Sequence, residues 1–133
     1  MEARFAALFA MLYVAHTIAD YWIQTDWQAT TKGAVGWVGR VACVAHVATY
    51  TMALTVVTMG VSYRLDMDLS PVQVAVALAV SAITHYLADR RTPLRRLAVA
   101  CRHSGAWLDG EGLALVDQAW HVGWLGVAAL IMT

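Results

Sequence analysis

The sequence predicts an all-α integral membrane protein built as a bundle of four transmembrane helices. Hydrophobic residues make up 60% of the 133-residue chain and charged residues only 14%, whereas soluble domains carry about 25% charged residues. Four segments approach the roughly 20 apolar residues that a spanning helix needs. No Ser-, Gly- or Pro-rich linker separates them, so we expect a single transmembrane domain over residues 1–133.

The four predicted spanning helices cover residues 4–24, 37–60, 71–91 and 113–131. The first could be confused with a secretory signal peptide. Its apolar run leads into His16 and Asp20, however, where a signal peptide would have a cleavage site of small residues. We therefore expect the first segment to be a spanning helix.

Residues that favour helix ends support the other boundaries. Ser70 followed by Pro71 is typical of an N-cap and a first helical position, and Gly60 is typical of a helix C-terminus. Pro93 should end the third helix. Beyond it, residues 93–107 predict a short amphipathic helix at the membrane surface.

The distribution of basic residues predicts the orientation. Four spans place both termini and the second loop on one side with two basic residues, and the first and third loops on the other side with seven. Cytoplasmic loops carry the excess of Lys and Arg. We therefore expect a multi-pass protein of the cytoplasmic (inner) membrane with both termini outward.

Three of the five histidines lie four residues from an aspartate within the apolar segments: His16/Asp20, His85/Asp89 and Asp117/His121. Random placement would give roughly 0.5 such pairs. This spacing puts both side chains on one helix face, one turn apart. Ionisable residues inside membrane helices are costly and mark functional sites, so the pairs predict where the site lies.

Each predicted helix carries one histidine at a similar depth, roughly 9 to 14 Å from the cytoplasmic end at the α-helical rise. Bundle cores build metal sites from His and carboxylate side chains on facing helices. The predicted cofactor is therefore one or two divalent metal ions, with zinc ahead of manganese or iron. The predicted metal ligands are His16, Asp20, His46, His85, Asp117 and His121.

Asp20 and Asp89 are the predicted catalytic carboxylates, because a carboxylate beside a metal can act as general base. Asp89 would also be compatible with a surface ion pair to Arg90. The predicted substrate-binding residues lie nearer the loops: Gln24, Asp26, Arg40, Arg90 and Arg91. Guanidinium groups bind phosphate bidentately, although the positive-inside rule alone would also explain these arginines.

The segment from His16 to Trp27 follows the pattern H-x3-D-x3-Q-x-D-W and precedes Lys32. It resembles the opening signature of a small uncharacterised family of multi-helix membrane proteins from bacteria and their phages, which share a domain of unknown function. The likeness continues through His46, the His-x3-Asp of the third helix and the Asp-Gln-x2-His of the fourth. It therefore covers nearly the whole chain.

More distantly, the pattern is similar to inner-membrane proteins grouped as metal-dependent hydrolases. These are in turn grouped with zinc-dependent phospholipase C and related nucleases, whose helical folds hold zinc with His and Asp. That likeness is an analogy at the level of the fold, which does not establish chemistry. A metal at the predicted site would make hydroxide available near neutral pH, so the leading hypothesis is a metal-dependent hydrolase at the cytoplasmic face that acts on a phosphoester such as a lipid headgroup.

Two other functional classes stay open. The His/Asp residues could serve a non-enzymatic metal- or proton-handling protein, which with only four helices would assemble as a homo-oligomer. They could also form hydrogen bonds that hold the helices together in a structural or interaction protein. The expected partners are the bilayer and anionic lipid headgroups at residues 93–107, and nucleic acid is not expected.

Overall fold

The computed structural model describes residues 2–133, and in that range the chain is helical with no strand. Four helices are long and apolar enough to cross a membrane, at Ala3–Ile23, Trp37–Arg64, Pro71–Asp89 and Gly105–Met132. Large apolar side chains on their outer faces, such as Met52, Val56 and Ile83, are exposed. The predicted all-α architecture with four candidate spans is confirmed.

The helices in chain order are α1 (Glu2–Ile18), α2 (Asp26–Thr31), α3 (Trp37–Arg64), α4 (Pro71–Asp89), α5 (Thr92–Ala100), α6 (Gly105–Trp107) and α7 (Leu113–Met132). A π-helical turn at Ala19–Ile23 extends α1, and another at Leu108–Gly112 precedes α7. The long helices α1, α3, α4 and α7 form a closed ring, because each packs against two of the others.

The boundary prediction at Gly60 is wrong, because α3 continues to Arg64. Val61 packs against the apolar core and its carbonyl accepts a hydrogen bond from the Leu65 amide, so the last turn is held by tertiary contacts. The third spanning helix ends at Asp89, two residues earlier than predicted. The reason is Arg91, whose φ of 57° is incompatible with a right-handed helix.

The short surface helix is displaced from its predicted range. It begins at Thr92, so that Pro93 lies in its first turn, where proline is tolerated. It ends at Ala100 instead of residue 107, because Arg102 adopts a φ of 70° and breaks the helix. Its buried residues Leu94 and Ala98 face the bundle, and the arginines Arg95 and Arg96 lie on other faces.

The interior of the ring is divided into an apolar half and a polar half. Leu8, Leu12, Leu54 and Leu125 are almost fully buried in the apolar core near the two termini of the chain. The border between the halves is marked by the hydroxyl of Tyr50, which shares a hydrogen bond of 2.7 Å with a serine of α4. The histidines of all four long helices lie beyond this border.

The loop between α2 and α3 is fixed across the polar end of the bundle. The guanidinium of Arg90 donates to the carbonyl oxygens of Lys32 (2.6 Å) and Ala34 (2.7 Å). A Cβ atom at Gly39 would overlap the carbonyl oxygen of Ala34, so only glycine lets the loop approach α3 this closely. These contacts hold the Lys32 side chain over the site.

A substitution at Gly39 should therefore disturb the loop. We expect Gly39→Ala to lower the free energy of unfolding by about 1–3 kcal/mol, because the new methyl group forces the loop away from α3. The matched control is Gly60→Ala, where nothing lies within 4 Å of the added Cβ and alanine is the better helix former. Thermal unfolding in detergent measures both. Equal midpoints for the two variants would show that the close approach has no importance for stability.

Candidate metal centre

The polar side chains of the long helices meet at one level of the bundle. Its four histidines, from 0% to 3% exposed, are His16, His46, His85 and His121. Three aspartate side chains lie among them, Asp20 at 10%, Asp89 at 4% and Asp117 at 28% exposed. The structure thus brings together every residue in the predicted ligand set, together with Asp89.

Two imidazole Nε2 atoms meet at the centre of this group, each near one oxygen of Asp20 and one oxygen of Asp89. We call these four residues, Asp20, His46, His85 and Asp89, the inner site. The Nε2 atoms of His46 and His85 are 3.0 Å apart. His46 Nε2 lies 3.4 Å from Oδ1 of Asp20 and 3.4 Å from Oδ2 of Asp89. His85 Nε2 lies 3.8 Å from the same Asp20 oxygen and 3.2 Å from the same Asp89 oxygen.

A tetrahedral ion with bonds of about 2.0–2.1 Å holds its ligand atoms about 3.3 Å apart. The four imidazole–carboxylate separations, from 3.2 to 3.8 Å, are close to this value, and the 3.0 Å contact between His46 and His85 is also a hydrogen bond. Asp20 Oδ1 and Asp89 Oδ2 are buried and accept no hydrogen bond. Burial of unpaired carboxylate oxygens is costly, and a cation at the centre would remove that cost.

Gln24 determines which nitrogen of His46 faces the inner site. With the amide oriented to satisfy both of its ends, its oxygen lies 3.3 Å from His46 Nδ1 and its nitrogen donates to the carbonyl oxygen of Asp20 at 3.2 Å. His46 Nδ1 therefore carries the proton and donates it to Gln24, which leaves a lone pair on Nε2. Metal-ligating histidines are commonly fixed by such a partner on the other ring nitrogen.

Lys32 was not predicted as a site residue, although it follows the motif of the first helix. Its Nζ lies 2.7 Å from Asp89 Oδ1 and 2.8 Å from the Gln24 amide oxygen. The possible surface pair between Asp89 and Arg90 does not form, because Arg90 donates to the loop carbonyls instead. The contact between Lys32 and Asp89 joins residues far apart in the chain, so no local sequence pattern could predict it.

A second group of ligand atoms lies beside the inner site. Asp89, Asp117 and His121 each contribute one possible ligand atom, and these three atoms lie within 4.8 Å of one another. We call these residues the outer site. His121 Nδ1 donates to the Asp117 carbonyl oxygen at 2.7 Å, so its Nε2, buried without a partner, carries the lone pair. His16 lies between the two sites, with its Nδ1 3.5 Å from Asp20 Oδ2.

A cavity of about 560 Å³ opens next to the outer site at the polar end of the bundle. Its apolar wall includes side chains of α5 and of the turn before α7. Its polar wall consists of Gln24, Lys32, Asp89, Arg91, Asp109 and Asp117. Two cationic and three anionic side chains therefore surround a space large enough for a small substrate, next to possible metal ligands.

Three predicted substrate-binding residues lie away from this cavity or are otherwise engaged. The π-helical turn ends the first helix at Ile23, so Asp26 lies in the first turn of α2, exposed, and does not continue the face of α1. Arg40 is exposed in a different groove, beside Trp37. Arg90 donates to the loop carbonyls. Of the five predicted residues, only Gln24 and Arg91 line the cavity.

The fold and the site together define an all-α protein with four candidate membrane spans and a buried His/Asp centre. The chain belongs to the family described as protein of unknown function DUF3307, whose sequence model matches residues 8–133. The predicted resemblance to an uncharacterised family with a domain of unknown function is therefore confirmed. No curated protein and no solved structure matches the chain.

Proposed function

We propose that the protein is a membrane-embedded metal-dependent hydrolase that acts on phosphoesters. The observation that carries this proposal is that two buried imidazole Nε2 atoms, 3.0 Å apart, each lie within 3.8 Å of an oxygen of Asp20 and an oxygen of Asp89, beside an open cavity. A divalent cation bound in this His/Asp centre and facing the cavity would supply a Lewis acid that polarises a phosphoryl oxygen and makes water nucleophilic near neutral pH. The ligand set of imidazole nitrogens and carboxylate oxygens suits zinc, with manganese or iron as alternatives.

The cavity wall supplies the groups that would bind an anionic substrate. Lys32 and Arg91 both line it, and an arginine fork pairs with two phosphate oxygens at once. The Arg91 backbone, with a φ of 57°, is in a region that non-glycine residues rarely adopt. Such strained residues cluster at functional sites, which supports a role for this side chain in substrate binding.

Asp117 is the carboxylate best placed to accept a proton. The sequence suggested Asp20 and Asp89 for catalysis, but both point an oxygen into the inner site, and the other Asp89 oxygen pairs with Lys32. Asp117 is 28% exposed and lines the cavity. We therefore assign ligand roles to Asp20 and Asp89, and we propose that one oxygen of Asp117 accepts the proton while its other oxygen stays available as a ligand.

The distribution of charge supports a cytoplasmic opening. Seven of the nine basic residues lie in the chain segments at the cavity end, and the positive-inside rule assigns that side to the cytoplasm. Both termini would then face outward from the inner membrane. On the same end α5 carries Arg95 and Arg96, which suit contact with anionic lipid headgroups. The proposed substrate class therefore includes lipid phosphoesters.

A transport pathway is a weaker candidate because the other half of the bundle is closed. Leu8, Leu12, Leu54 and Leu125 are at most 1% exposed and belong to one apolar cluster. An ion or proton path would need polar groups through that half. A site that opens on one side only is better suited to catalysis.

Hydrolysis by the detergent-purified protein tests the proposal. We expect zinc-, manganese- or iron-loaded protein to hydrolyse p-nitrophenyl phosphoesters or an anionic phospholipid in mixed micelles. Asp20→Asn should reduce the rate to background, because the inner site loses a charged ligand. Asp68→Asn, an exposed position in the loop at the opposite end, is the control and should retain full activity. An inactive wild-type protein with all three metals, or equal rates in both variants, would refute the hydrolase.

A further inference from the structure

We infer that the centre holds two divalent cations with different tasks, an enclosed inner ion and an outer ion that faces the cavity. The inner site offers four ligand atoms and the outer site three, and Asp89 belongs to both. Asp89, whose Oδ1 is paired with Lys32, would therefore be shared between the two ions. This inference deepens the proposed hydrolase and rests on it for the catalytic task of the outer ion.

The inner site has the properties of a structural metal site. Structural zinc sites are closed by four protein ligands, whereas catalytic zinc sites have three and keep a position open. Among the inner ligands only Asp20 is as much as 10% exposed, and His46 is fully buried. His16 contacts the second oxygen of Asp20, which turns the first oxygen toward His46.

The outer site has the properties of a catalytic metal site. It offers three ligand residues, and Asp117 is partly exposed at the wall of the cavity. The His121 ring contacts the Asp117 carboxylate through Nδ1, 3.5 Å from Oδ2, and its Nε2 is buried without a hydrogen-bond partner among the described residues. Three ligands leave at least one coordination position open toward the cavity, which is where water and substrate would enter.

The charge of the group favours a second ion when an anionic ligand binds with it. The two sites contain three carboxylates, and among the residues that the structure describes Lys32 is the one cationic side chain paired with them. With neutral imidazoles, the group carries two excess negative charges, which one divalent cation would neutralise. A second divalent cation makes the group positive by two charges. The occupied centre would then attract an anionic phosphoester, as paired metal ions do in phosphatases.

Metal counting on separate variants tests this division. Wild-type protein loaded with manganese and desalted should contain two ions per chain, with the electron paramagnetic resonance signal of a coupled pair. His121→Ala and Asp117→Asn should each retain one ion, with the signal of an isolated manganese. His46→Ala should lose the inner ion and unfold at lower temperature. The exposed His103 provides the control, and His103→Ala should keep both ions.

The outcomes separate the inference from the proposed function. One ion per chain in the wild-type protein, or two in both outer-site variants, would overturn the two-ion centre. Loss of both ions in both outer-site variants would also overturn it, because the inner site should bind alone. A coupled manganese pair in a protein that hydrolyses no phosphoester would support the two-ion centre and refute the hydrolase.

Discussion

Replacing Asp89 with asparagine is expected to abolish metal binding, with a larger effect than any other single substitution in the centre. Asp89 Oδ2 faces both imidazole Nε2 atoms of the inner site, and the residue also contributes to the outer site. The neutral amide is a poorer ligand for a divalent cation and cannot bridge two ions. Equilibrium dialysis against zinc, followed by elemental analysis, should find less than one tenth of the wild-type content, by order of magnitude.

The same substitution removes the partner of the Lys32 ammonium, which is only 13% exposed. Removing one partner of a buried ion pair costs roughly 3–5 kcal/mol, and partial exposure of Lys32 reduces this value. Asp89→Asn combined with Lys32→Met restores the charge balance and should recover the unfolding midpoint of the metal-free protein without recovering metal binding. Full zinc content in Asp89→Asn would contradict the assignment of Asp89 as a ligand.

Removal of the metal by a chelator is expected to produce the second large effect, a fall in the unfolding midpoint on the order of 10 °C. A ligand present at 1,000 times its dissociation constant stabilises the folded state by about 4 kcal/mol. Without the cation, Oδ1 of Asp20 and Oδ2 of Asp89 are buried without a hydrogen-bond partner among the described residues. The fluorescence of the six tryptophans would follow unfolding in detergent as the temperature rises.

Zinc returned to the chelated protein should restore the midpoint, whereas magnesium should not. Magnesium prefers octahedral sites of oxygen ligands and binds imidazole poorly, so it controls for nonspecific effects of divalent ions. Identical midpoints for chelated and zinc-loaded protein would show that no cation binds preferentially to the folded state.

The sequence predicted the level of the site well because helical geometry is regular. A residue's depth along a spanning helix follows from its number and a constant rise, so His16, His46, His85 and His121 could be placed at one level from four approximate boundaries. The spacing of four between His85 and Asp89 likewise determines a shared helix face. Neither prediction requires knowledge of how the helices pack.

The parts that were missed depend on contacts between distant segments or on irregular backbone. The π-helical turn at Ala19–Ile23 separates Asp26 from the face of α1. No residue pattern predicted this turn, although the end of the first helix was predicted to within one residue. Lys32 and Arg90 reach their positions through contacts that link the first loop to α4. Gln24 was predicted to bind substrate, but its contact with His46 depends on the packing of α1 against α3.

X-ray absorption at the zinc edge of the zinc-loaded, desalted protein would test most directly whether the His/Asp centre binds metal. We expect a first shell of nitrogen and oxygen atoms at about 2.0–2.1 Å, with the outer-shell scattering of imidazole rings. A sulfur shell at about 2.3 Å would instead assign the zinc to one of the free cysteines, Cys43 or Cys101. That result, or the absence of retained zinc, would contradict a metal centre built from these histidines and aspartates.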